Sequence, residues 1–184
     1  MEMLIAGLAV FFAAHLVPAV PPLRNALVRL IGLMPYKGVF SLVSIVGLVL
    51  IALGAGRAPF EILWFPDIWW VEGAKMLMLP AFILVVSAYI PSDIGKSVKQ
   101  PMLLGVGLWA IAHLIANGDL ATTILFASFL GYAIVGSISA TLRGIENSPK
   151  RTSFELNMAV LVVAGIGYAL VGFFHEELFG VKIY

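Results

Sequence analysis

Tyr36–Gly56 reads YKGVFSLVSIVGLVLIALGAG. Beyond Lys37 it carries no charge, and apart from Ser41 and Ser44 every later residue is apolar or glycine. A helix that is hydrophobic all round must be covered on every side by protein or lipid. At about 1.5 Å per residue the stretch is roughly 30 Å long, which matches bilayer hydrocarbon. It predicts a transmembrane helix and sets the class of the whole chain.

Similar segments lie on both sides. Towards the N-terminus, Leu23–Leu33 is a short amphipathic stretch. Before it, Met3–Val20 predicts a first span, ending at Pro18, Pro21 and Pro22. The start could be mistaken for a signal peptide, but Glu2 stands where a basic region belongs and no small-residue cleavage site follows. It reads as a retained helix. Towards the C-terminus, Trp69–Ile90 is a third span with Trp69 and Trp70 as interfacial anchors. Met102–Ala116 is a short fourth, Leu120–Leu142 a fifth and Phe154–Phe174 a sixth. Only Asn117-Gly118-Asp119 separates the fourth from the fifth, which predicts an antiparallel hairpin. Arg143–Thr152 (RGIENSPKRT) is the clearest polar loop. The expected fold is all-α, a polytopic membrane bundle of about six transmembrane helices, with residues 1–184 as a single transmembrane domain.

Composition agrees. Of 184 residues 61% are hydrophobic and 11% charged, and mean hydropathy is +1.05. Soluble domains carry about 25% charged residues. The expected neighbours are therefore membrane lipids. A net charge of +1 offers no basic field for nucleic acid. Without cysteine, disulfides, thiolate ligands and cysteine nucleophiles are excluded. Lysine and arginine placement predicts orientation. Arg24, Arg29, Lys37, Lys96, Lys99, Arg143, Lys150 and Arg151 fall on one side of a six-span topology, and only Arg57 and Lys182 on the other. Both termini are thus expected outside, away from the cytoplasm.

Three histidines stand out. His15 and His113 fall inside predicted spans and His175 at the end of the last. An ionisable group within a span needs a partner. Imidazole is a common ligand of haem iron. His15 lies about 18 Å below the outer face and His113 about 18 Å above the inner one, so their depths differ by about 6 Å. One porphyrin between their helices could be reached from both sides. A donor bond to a helix carbonyl accounts for such a histidine equally well. His175, near the outer surface, is a poorer partner. A metal other than haem iron lacks the carboxylates or thiolates to complete its shell.

Other polar residues have structural explanations at hand. Asp119 can cap the fifth helix. Glu72 and Lys75 can pair across one helix turn, or Lys75 can reach a propionate or a lipid phosphate. Arg24 and Arg29 suit headgroups. Gln100 enters the fourth span, where it could bind a headgroup or cofactor.

The strings HLVPAVPPLR (His15–Arg24), YKGVFSLVS (Tyr36–Ser44), APFEILW (Ala58–Trp64), LMLPAFILVVSAYIPS (Leu77–Ser92) and LWAIAHLIANGDLAT (Leu108–Thr122) together resemble the NnrU family. The resemblance covers most of residues 1–135, and the Trp-x-x-x-His spacing followed by Ala-Asn-Gly-Asp is its most specific part. It implies a multispan protein of the bacterial inner membrane associated with nitrite and nitric oxide reduction. The domain is also similar to 15-cis-ζ-carotene isomerase, a haem b enzyme of plants and cyanobacteria. That likeness implies haem ligation by His15 and His113. It also implies an apolar substrate such as a carotenoid. Two departures stand out. The isomerase has a cysteine three residues before its second histidine, proposed to serve a redox-linked ligand switch; here Ala110 stands there, so that switch cannot operate. Relatives commonly show Arg-His-Pro where this chain has Lys99-Gln100-Pro101. That element is similar to one holding S-adenosylmethionine in isoprenylcysteine carboxyl methyltransferase.

Three functions therefore compete. One is a haem b membrane protein, whether electron carrier, sensor or isomerase. Another is a S-adenosylmethionine-dependent membrane methyltransferase, which the loss of histidine at Gln100 weakens. The last is a non-enzymatic assembly or interaction partner of a membrane oxidoreductase. The residues leave open whether the chain is an enzyme.

Overall fold

The computed structural model describes residues 1–144 and 151–181. Lys150 and Lys182, counted above for orientation, and most of the RGIENSPKRT loop lie outside the described residues. In chain order the helices are α1 (Glu2–Leu16), α2 (Pro21–Ile31), α3 (Leu33–Gly56), α4 (Ile68–Ser87) and α5 (Asp93–Ser97). They continue with α6 (Pro101–Ala116), α7 (Leu120–Leu142), α8 (Phe154–Phe173) and α9 (His175–Phe179). No strand occurs among the described residues. Among the described residues five segments are long and apolar enough to cross a bilayer: Glu2–Ala19, α3, α4, α7 and α8. The shorter apolar α6 makes a sixth candidate. The chain is an all-α, multi-pass membrane protein. Exposed rows such as Val39, Leu42, Ile45 and Val49 on α3 meet lipid.

Two compact units form, Met1–Phe65 with Asn117–Tyr132, and Pro66–Ala116 with Ala133–Tyr184. In the first, α1 and α3 run antiparallel in a close register. Leu4 lies opposite Gly54, Gly7 opposite Ile51 and Phe11 opposite Gly47. A Cβ at Gly47 would stand 2.9 Å from the Phe11 backbone, one at Gly7 would stand 2.6 Å from the Ile51 nitrogen, and one at Gly54 would strike the Leu4 backbone. Membrane helices associate through such small residues because lipid leaves them little hydrophobic drive. Leu4, Leu8, Phe11 and Ile51 form the core there, joined by Ala121 of α7.

The first span departs from expectation at its end. The α-helix stops at Leu16, and Val17–Ala19 forms a 3-10 turn with the Val17 N–H bonded to the Ala14 carbonyl. Pro18 has no N–H to continue the ladder. Pro80, by contrast, sits inside α4 without ending it, as transmembrane helices tolerate.

In the second unit α4 packs against α6 and α8. Gly105 lets α6 approach the Ala81 carbonyl and Val85. Leu103 of α6 packs against Gly136 of α7, so the two helices run antiparallel as the short turn predicts. The connection from α4 to α6 is fastened to α8. Asn157 donates its amide to Asp93 Oδ2 at 2.7 Å and accepts the Asp93 N–H at 2.9 Å, and the Thr152 hydroxyl donates to Asp93 Oδ1 at 2.7 Å. The sequence reading contained neither this clamp nor the short helices α5 and α9.

Candidate functional site

His15 lies in the last turn of α1 and is half-buried. Its Nδ1 is 2.8 Å from the carbonyl of Phe11, one turn earlier. A carbonyl only accepts, so this nitrogen carries the proton. In the neutral ring Nε2 then holds the lone pair. Aromatic rings surround the imidazole. Phe11 stacks on it with centroids 3.9 Å apart, Phe40 of α3 stands at 5.0 Å and Tyr132 of α7 meets it edge-on at 6.0 Å. Phe12 and Phe129 extend the set, with centroids 5.1 Å apart.

His113, in the second unit, repeats the local arrangement in the last turn of α6. Its Nδ1 is 2.9 Å from the Trp109 carbonyl, and the Trp109 ring lies 5.2 Å away. Each histidine thus has an aromatic residue four positions earlier that supplies both a carbonyl and a ring face. The spacing places both on one helix face. His175 differs. Its Nδ1 bonds forward to the Val181 carbonyl at 2.7 Å, across the end of α9.

Imidazole is a donor that haem iron accepts. An imidazole whose Nδ1–H is held by a carbonyl is fixed in tautomer and orientation and presents Nε2 to a metal. Among the described residues no group of three or more histidine, aspartate or glutamate side chains could hold an ion by itself, so a metal here would need to bring further ligands of its own, as a porphyrin does.

A family model described as NnrU protein matches residues 3–183. The chain belongs to the NnrU family. The match runs past residue 135, where the resemblance in the sequence fades, and takes in α8 and α9 of this NnrU chain. No curated protein and no solved structure matches it.

The remaining candidates have local roles. Asp119 caps α7, accepting the Thr122 N–H at 3.0 Å. Its neighbour Gly118 accepts the N–H groups of Leu63 and Trp64, and the Leu120 N–H donates to the Glu61 carbonyl. Glu72 and Lys75 form an ion pair at 2.7 Å. Pairs this exposed stabilise by about 0–1 kcal/mol. The Gln100 carbonyl accepts the Leu104 N–H, an ordinary helix entry. Sequence reasoning missed the rings around His15. Phe11 carried a usable signal, since its spacing to His15 equals that of Trp109 to His113. Phe40 and Tyr132 carried none, because helix packing brings them in.

Proposed function

We propose that this NnrU-family protein binds haem b, which His15 and His113 would hold. The observation that carries the reading is the shared local setting of these two histidines, each donating Nδ1–H to the carbonyl one turn earlier. That bond sets the ring tautomer and raises the basicity of Nε2. Phe11, Phe40 and Tyr132 offer His15 flat apolar faces that suit a porphyrin or polyene and exclude water. When bound, haem b would supply an iron able to exchange an electron, take nitric oxide or polarise a polyene double bond. The family implies association with nitrite and nitric oxide reduction; the similar carotene isomerase implies isomerisation of a carotenoid-like substrate. Ala110 removes any thiol ligand from beside His113. The chain would act in the bacterial inner membrane with both termini on the periplasmic side.

An optical spectrum of protein purified from haem-replete cells tests the reading. Wild type is expected to show a Soret band and a haem b pyridine haemochrome, and His15→Ala and His113→Ala each to lose most of the bound haem. Full haem retention in both variants would end the assignment. Haem-free protein that co-purifies with a larger oxidoreductase would move it to the assembly-partner reading.

A further inference from the structure

Between α3 and α4 the chain runs RAPFEILWFPD, Arg57–Asp67. Water asks for polar side chains on such a connection, yet five of these eleven residues are large and apolar. They are not tucked away. Phe60 is 79% and Phe65 83% exposed, and Ile62, Leu63 and Trp64 between them are exposed as well. A contiguous apolar patch of this kind marks a contact surface.

The loop is fixed in place. The N–H groups of Leu63 and Trp64 donate to the Gly118 carbonyl at 2.7 and 3.1 Å, and the Glu61 carbonyl accepts the Leu120 N–H at 2.8 Å. Ile62 pairs with Asp119 in an antiparallel bridge. Pro59 and Pro66 have no N–H to satisfy. Irregular backbone is kept out of lipid by its unsatisfied polar groups. Here the central ones are satisfied within the protein, so the loop can lose water. The neighbouring helix says what replaces that water. Val46, Val49 and Leu53 form an exposed row at helical spacing that leads along α3 to the same end. That row meets lipid, and the loop continues its apolar surface past Gly56.

We propose that Phe60–Phe65 is an interfacial anchor whose partner is the bilayer surface. Its aromatic and aliphatic side chains insert among the headgroups and upper acyl chains of one leaflet, the outer one in the topology set out above. The exposed Glu61 carboxylate stays in the headgroup water. Because the loop shares backbone bonds with the turn between α6 and α7, the anchor also sets the depth of that turn. It does not rest on the haem reading.

The test places single cysteines in the otherwise cysteine-free chain. Phe60→Cys, Phe65→Cys and, as a water-facing reference, the exposed Lys96→Cys carry a nitrobenzoxadiazole label. Each full-length protein is studied in nanodiscs of phosphatidylcholine and phosphatidylglycerol, whose two faces are open to water. Labels at Phe60 and Phe65 are expected to emit further to the blue than the Lys96 label. They should lose most of their fluorescence to lipid with a doxyl group high on its acyl chain, and little to iodide. The Lys96 label should do the reverse. Iodide quenching at Phe60 and Phe65 equal to that at Lys96 overturns the proposal and leaves the loop as a bare surface for a protein partner. Shielding from both quenchers overturns it as well, and two chains in each disc would then identify a second copy as the cover.

Discussion

At Asp93 both carboxylate oxygens are engaged, by the Thr152 hydroxyl just before α8 and the Asn157 amide in its first turn. The Thr152 bond, then the Asn157 bond, hold its pKa below the ordinary 3.8, and Lys96 adds to them. A lowered folded pKa means that the stabilisation is fully present above 3.8 and is lost as pH falls through the folded value. Melting curves of wild type and Asp93→Ala from pH 7 down to pH 2 should therefore start apart, with the variant lower, and converge below 3.8. A gap that stayed constant down to pH 2 would show that the charge plays no part. None of this is readable from DIGKS, because Thr152 and Asn157 lie far along the chain. Asp119 is the contrast. An aspartate before an apolar run is a local signal, and the cap it predicts is there. The histidines fall between these cases. An ionisable group in an apolar span identifies itself and its i−4 carbonyl is local, but Phe40 and Tyr132 reach His15 only through helix packing.

Among the elements, the pair α1–α3 shows what a hydropathy reading leaves out. Apolar length located both helices, and Pro18 marked the end of the first, though the α-helix stops sooner than expected. The face each helix uses was not visible, since glycines are spread along the apolar helices and only some meet a neighbour. Gly47 is pressed against Phe11, while Gly38 on the same helix faces open space. Gly47→Leu should lower stability by about 1–3 kcal/mol through overpacking, whereas Gly38→Ala should be neutral or raise it by up to about 1 kcal/mol. Thermal unfolding in detergent compares them. Because Phe11 is the ring stacked on His15, Gly47→Leu should also disturb that imidazole. Equal melting temperatures for the two variants would refute the close contact.

For the whole molecule, composition alone settled the class, because a short chain with so little charge has no soluble solution. Orientation remains a prediction from the positive residues. The absence of cysteine makes it easy to test, since any introduced thiol is the only one. A cysteine at Ser97 should react with an impermeant maleimide only after the inner face is opened, and one at Ala58 should react in intact spheroplasts. The reverse pattern would invert the topology.

The first unit also constrains the order of synthesis. Its two pieces, Met1–Phe65 and Asn117–Tyr132, are separated by the stretch that begins the second unit. Leu4 and Leu8 share their core with Ala121, and the N–H groups of Leu63 and Trp64 find their acceptor on Gly118. The ribosome delivers those partners only after residues 66–116 have emerged. During that interval α1 and α3 stand as a pair with one flank bare, covered by lipid or an insertion factor. The earliest helices of this protein are thus among the last to be fully enclosed.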